Sequence, residues 1–167
     1  MLYNSLLDVF IDDIKNYLQD NLNILLESYE DMKLLKIFNA YDSERERPTP
    51  PEIDILSIDY NEDESSNTFN EGENISNVVL QFYCYGKSMK IKGDDTKSNA
   101  IVVTRVLADF LTRLLTKNKV IKNNKNIIRI RKTSQTNVMQ VRDQSLYYCV
   151  LRYEFKINNN YIKKYRK

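Results

Sequence analysis

The sequence predicts an α+β fold: a mostly antiparallel four-stranded sheet with two main helices packed on one face, in the order α-β-β-α-β-β. Three observations carry this expectation. Two stretches repeat apolar residues at steps of three and four, the spacing of a helix with one buried stripe. Four other stretches are β-branched and aromatic or alternate apolar with polar residues, the period of a strand. Between them lie a proline cluster and a glycine-bearing linker that stop both patterns. At 167 residues the chain suits a single domain, 1–167, against a norm of roughly 100–200 residues.

In chain order, the first helix is expected over Leu2 to Leu18, where Tyr3, Leu6, Leu7, Phe10, Ile14, Tyr17 and Leu18 form the stripe and Asp8, Asp12, Asp13 and Lys15 lie off it. Residues 22–38 are mixed: Leu22, Leu25, Leu26 and Tyr29 fit a helical face, and Leu34 to Phe38 fits a short strand. Pro48, Pro50 and Pro51 then favour extended backbone and forbid helix. Glu52 to Tyr60 reads as a strand with Ile53 and Ile55 on one face. Val78 to Tyr85 reads as a second, ending at Gly86. The polar stretch 61–77 reads as a long acidic loop joining them in a wide hairpin. After a linker, Lys87 to Asp95, any of Asp94, Asp95 or Thr96 can cap a helix from Lys97 to Leu115. Val103, Val106, Leu107, Phe110, Leu111, Leu114 and Leu115 give that helix the strongest periodicity in the chain. Asn126 to Thr133 and Leu146 to Ile157 are the last two strands. In the latter, Tyr147, Cys149, Leu151, Tyr153, Phe155 and Ile157 face one way and Arg152, Glu154 and Lys156 the other, as in a sheet covered on one side only. A basic tail, 158–167, follows.

Absences exclude several chemistries. The chain has no histidine, which removes Ser-His-Asp and Cys-His catalysis and histidine-containing zinc sites. Two cysteines cannot build a Cys₄ site, and three glycines cannot write a phosphate-binding glycine loop. Cys84 and Cys149 both sit in apolar runs and read as small buried thiols, with a disulfide as the other option. No cofactor is expected. The first segment carries acids through its apolar stretch and lacks the basic start of a signal peptide, and no run approaches ~18 apolar residues. The expectation is a soluble protein made in a reducing cytoplasm, with no membrane contact.

Charge is the most informative feature. Residues 1–75 hold 18 acids and 5 bases, net −13, whereas residues 76–167 hold 5 acids and 20 bases, net +15. A total of +2 conceals that split. A surface so divided lets the acidic part of one copy attract the basic part of another. The candidate interface residues are Glu62, Asp63, Glu64, Glu71 and Glu73 on the acidic side. On the basic side they are Lys122, Lys125, Arg129, Arg131, Lys163, Lys164 and Arg166.

Two other chemistries compete with this reading. Glu154-Phe155-Lys156 is an E-x-K on a strand, with Asp143 upstream, a pattern that can hold Mg²⁺ and steady an attacking water in a nuclease. The plainer account is an alternating charged face on which Glu154 pairs across to Arg129 or Arg131. The basic run Lys117 to Lys132 and the tail, with Tyr161 and Tyr165 interleaved, can hold nucleic acid without regard to sequence. Against this, the acidic half repels phosphate. The pairs Asp12-Asp13, Asp63-Glu64 and Asp94-Asp95 diverge on a helix or strand and read as solvated surface or caps. The Asn74-Ile75-Ser76 triplet is set aside for want of a secretory signal.

The layout resembles the tail terminator (tail completion, head–tail joining) proteins of tailed bacteriophages. The shared features are the amphipathic first helix, the strand V-V-L-Q-F-Y-C-Y-G (Val78 to Gly86), the helix A-x-x-V-x-x-V-L-A-D-F-L (Ala100 to Leu111) and the late strand Y-Y-C-V-L-R-Y-E-F-K-I (Tyr147 to Ile157). The resemblance implies a non-enzymatic virion protein of the neck, assembled in the bacterial host cytoplasm. It would form a ring, usually of six copies, that ends tail-tube polymerisation and joins the tube to the head connector or other neck proteins. DNA would pass through its lumen without specific binding. The acidic 61–77 loop and the prolines at 48–51 depart from that pattern.

Overall fold

The computed structural model describes residues 6–40, 47–62, 75–116, 126–142 and 144–158. Helix α1 (Leu6–Asp20) buries Leu6, Phe10, Ile11, Ile14, Tyr17 and Leu18: Ile11 joins the expected stripe, Leu7 is only half-buried, and Tyr3, with the expected start at Leu2, lies outside the described residues. The mixed region resolves into a one-turn α2 (Asn23–Leu26), a 3-10 turn over Glu30–Leu34 and a short strand β1 (Lys36–Asn39). Strands β2 (Glu52–Glu62) and β3 (Ile75–Gly86) follow. A two-stranded ribbon, β4 (Met89–Lys90) with β5 (Lys97–Ser98), leads into α3 (Ala100–Leu114). Then come β6 (Ile127–Gln135), β7 (Met139–Gln140) and β8 (Tyr147–Asn158).

The main sheet runs β1-β2-β3-β8-β6, with β7 also paired to β8. The α+β class therefore holds, and the four long strands fall where alternation put them. The count and order need correction: six strands share the sheet, and β1 lies parallel to β2. A four-residue strand shows too few alternations to declare its partner, and the intervening 40–51 segment is long enough for a parallel return.

Boundaries also move: β6 runs to Gln135 rather than Thr133 and α1 to Asp20 rather than Leu18. Antiparallel pairing of Glu62 with Ser76 and of Ile75 with Asn158 carries the strands into the stretch read as loop 61–77. The connection is thus 63–74, which lies outside the described residues. Asn158 belongs to β8, so the tail begins at 159 and likewise lies outside. Helix α3 starts three residues later than expected, because Lys97 and Ser98 are held in the ribbon. Its cap is Asn99, whose Oδ1 accepts the Val102 N–H at 2.9 Å. Asp94 instead accepts the Thr96 N–H at 3.1 Å within the turn.

Both long helices cover one face of the sheet. Strand β3 alternates strictly, sending Ser76, Val78, Leu80, Phe82 and Cys84 to the buried face that the helices cover. From β8, Cys149, Leu151, Tyr153, Phe155 and Ile157 join them. Phe10 of α1 meets Phe155 edge-on at 5.0 Å, and Phe82 meets Tyr153 at 5.7 Å. The Tyr17 hydroxyl donates to the Leu114 carbonyl at 2.9 Å and ties α1 to the end of α3. Cys84 and Cys149 face each other across β3 and β8 as free, buried thiols. Among the described residues, no helix is long and apolar enough to cross a membrane.

Burial makes stability sensitive to alkali. It holds the phenols of Tyr17, Tyr85 and Tyr153 above their ordinary 10.0. In the unfolded chain these groups lose protons near that value, while the fold keeps them. Stability contributed by the protonated phenols is complete below pH 10 and is lost as pH rises above it. Urea titrations at pH 8, 10 and 11 should show a midpoint that falls, most steeply per pH unit across the last interval. A midpoint that holds or rises to pH 11 refutes this.

Candidate functional site

The other face of the sheet carries no helix among the described residues, and strand register arranges its side chains in columns. On β2 the column holds Glu52, which is fully buried, then the half-buried Asp54 and the exposed Asp59, beside Tyr85, Tyr83 and Val79 of β3. The β3 column (Tyr85, Tyr83, Gln81, Val79, Asn77) has no charge. Next to it, β8 presents Tyr148, Val150, Arg152, Glu154 and Lys156. Outermost, β6 sets Arg131 opposite Glu154 and Arg129 opposite Lys156. The face is thus acidic along β2, neutral along β3 and mainly basic along β8 and β6. Chain order produces this sorting, since β2 comes from the acidic half while β8 and β6 come from the basic half.

At one end, Asp59, Asn77, Val79, Arg129, Glu154 and Lys156 line a hollow of about 190 Å³. Arg131 holds Glu154 there, its Nη2 2.6 Å and its Nε 3.1 Å from Oε2. The E-x-K carboxylate is therefore one partner of a cross-strand ion pair. Asp143 lies outside the described residues, among which no group of three or more acids and cysteines is placed to hold a metal. The pair is exposed, so it is worth at most about 1 kcal/mol. Lys90 and Asp95 form another ion pair at 3.3 Å; like the first, it joins two residues of the basic half.

At the opposite end, Tyr83, Tyr85 and Tyr148 cluster with ring centroids 5.9–6.5 Å apart. All three are half-buried. Burial first, then the Asp54 carboxylate, then Tyr83 and the Glu52 carboxylate raise the Tyr85 phenol well above its ordinary value. Sequence reading missed this cluster. Its signal was present: Tyr83, Tyr85 and Tyr148 occupy the positions of their strands that alternation assigns to solvent, where large aromatics are costly unless something covers them.

Of the candidate interface residues, Arg129 and Arg131 are on β6 and exposed. Glu62 ends β2. Asp63, Glu64, Glu71, Glu73, Lys122, Lys125, Lys163, Lys164 and Arg166 lie outside the described residues. Lys132, counted in the basic run, turns to the helical face and donates to Thr112 Oγ1 at 3.1 Å and to Gln135 Oε1. Residues that sequence reading did not count among the interface candidates, Asp59, Arg152 and Lys156, complete the charged columns.

Fold and face together define a class: a two-layer α+β domain with helices on one side and an open, charge-sorted sheet on the other. No protein-family model and no curated protein matches the chain.

Proposed function

We propose that this protein is a structural subunit that assembles with copies of itself into a ring at a phage head–tail junction, ending tail-tube growth and joining the tube to the head connector. The observation that supports this reading is the sorting of charge to opposite flanks of one sheet, acid on β2 and base on β8 and β6. Unlike flanks on one subunit make a heterologous contact, and a fixed rotation between copies closes it into a ring. The resemblance in layout supports the specific setting: the helix, strand, helix and strand that carry it pack as one two-layer unit. On this reading the partners are six copies of the chain, the tube protein and the neck proteins, and DNA passes without specific binding. The chain needs no cofactor and performs no catalysis, and its site of action is the virion.

Light scattering on the purified protein, alone and with tail tubes, tests the reading. Ring-sized particles are expected in at least one condition, weakening as salt rises from 0.05 to 0.5 M because exposed charge pairs are screened. A strict monomer in both conditions overturns it. A second reading, sequence-independent nucleic-acid binding, draws on Arg129, Arg131, Arg152 and Lys156 beside exposed sheet. Retention of single-stranded DNA at physiological salt would favour it over the first.

A further inference from the structure

The two flanks share a second feature besides opposite charge. Strand β2 slips register between Ser57 and Asp59, and β6 slips between Ile127 and Arg129. Each slip is a bulge whose additional residue is an isoleucine left outside the core: Ile58 is 40% exposed and Ile128 39%. Each is followed at once by a charge of its flank's sign, Asp59 on β2 and Arg129 on β6. The two motifs are therefore complementary: an exposed isoleucine beside an acid, and an exposed isoleucine beside a base.

Both sites lie at sheet borders. β1 accompanies β2 only along Glu52–Ile55, so from Leu56 onward no described strand lies on that side. β6 is the last strand at the other border, and every residue from Arg131 to Gln135 is exposed. Bulges bend an edge and interrupt its hydrogen-bond ladder, which opposes joining two sheets by continuous strand pairing. What remains available is contact through side chains.

Resting on the self-assembly reading above, we infer that the bulge at Ile58-Asp59 of one copy docks against the bulge at Ile128-Arg129 of the next. The occupant of each flank is a second copy of this chain. The isoleucines bury against each other, and Asp59 meets Arg129 at the rim. Charge selects this head-to-tail arrangement, because β6 against β6 opposes like charges and so does β2 against β2. Asp59 keeps its local bond from Asn61 Nδ2, at 2.9 Å, which orients the carboxylate. Arg129 has no ion pair among the described residues.

Charge reversal in trans tests the inference. Asp59→Lys and Arg129→Glu are each expected to weaken self-association about tenfold or more, since each makes its flank match the other in sign. Mixed in equal amounts, the two variants are expected to regain assembly with alternating subunits. Asp59→Lys then presents a basic β2 to the acidic β6 of Arg129→Glu, and the remaining contact is native. Thermal midpoints near the parent's establish that each variant folds. If the parent assembles and either variant assembles equally well, or if the mixture fails to recover, this contact is wrong and the ring reading stands. If the parent never assembles, with tubes or without, both fall.

Discussion

Phe155→Ala is expected to lower stability by about 3–5 kcal/mol, the range for removing a buried aromatic ring. The side chain is almost fully buried on β8 and sits where three elements meet. Its ring takes the edge-on contact from Phe10 of α1 and lies 6.3 Å from Tyr153 within its own strand. Truncation removes the apolar area and leaves a void that the β8 backbone, paired on both sides, cannot collapse to fill. Domains of this size have about 5–15 kcal/mol in total, so the variant should melt about 10 °C or more below the parent. Urea unfolding followed by far-UV circular dichroism measures it. Combining the change with Phe10→Leu should cost less than the two single changes added, because the pair shares one contact. A loss under about 1 kcal/mol for Phe155→Ala would mean that α1 does not rest on this strand.

The second large effect comes from adding atoms. Gly86 ends β3 directly beneath the first turn of α3. A Cβ there would sit 2.5 Å from the Thr104 amide nitrogen and from Thr104 Oγ1, and 2.9 Å from the Ala100 carbonyl oxygen. Two of those atoms are helix backbone, so a rotamer change cannot relieve the clash; α3 must lift. That movement also strains the Gly86 N–H to Thr104 Oγ1 bond at 3.1 Å, while Thr104 Oγ1 itself donates to the Ala100 carbonyl at 2.7 Å. Gly86→Ala should therefore cost about 2–3 kcal/mol, at the upper end for overpacking by one methyl group. Gly93→Ala is the control. Its φ of +78° disfavours a side chain, but nothing lies within 4 Å, so only the backbone term of about 1 kcal/mol should appear. Equal losses at the two glycines would show that close approach of α3 is not what position 86 requires.

The long elements were legible because each obeys one period over many residues. Strand β8 displays its buried and exposed sides in the sequence as alternating letters, and α3 displays its stripe at steps of three and four. Short elements were not legible in the same way. β1, β4, β5 and β7 span four residues or fewer, too few to establish a period, and they exist because a neighbouring strand supplies their hydrogen bonds. The N-cap of α3 shows the same limit: the three candidates, Asp94, Asp95 and Thr96, lie ahead of Lys97 and Ser98, which the ribbon holds, so the cap is Asn99, whose side chain reaches a free helical N–H.

The candidate surface divides likewise. Sequence alone determined that the two halves carry opposite charge, because composition along a chain does not depend on how it folds. That Arg131 would answer Glu154 was an open choice between two arginines, settled by a bulge that shifts β6 by one residue. Only the tertiary structure decided that the acids of β2 and the bases of β6 stand on different strands of one sheet, with the uncharged β3 between them, and that Asp59 and Arg129 line one hollow on its open face. It likewise decided that Ile58 and Ile128 emerge on those strands. Strand order and register are long-range properties: they follow from which apolar faces can be buried together under α1 and α3, and no local stretch of residues contains that information.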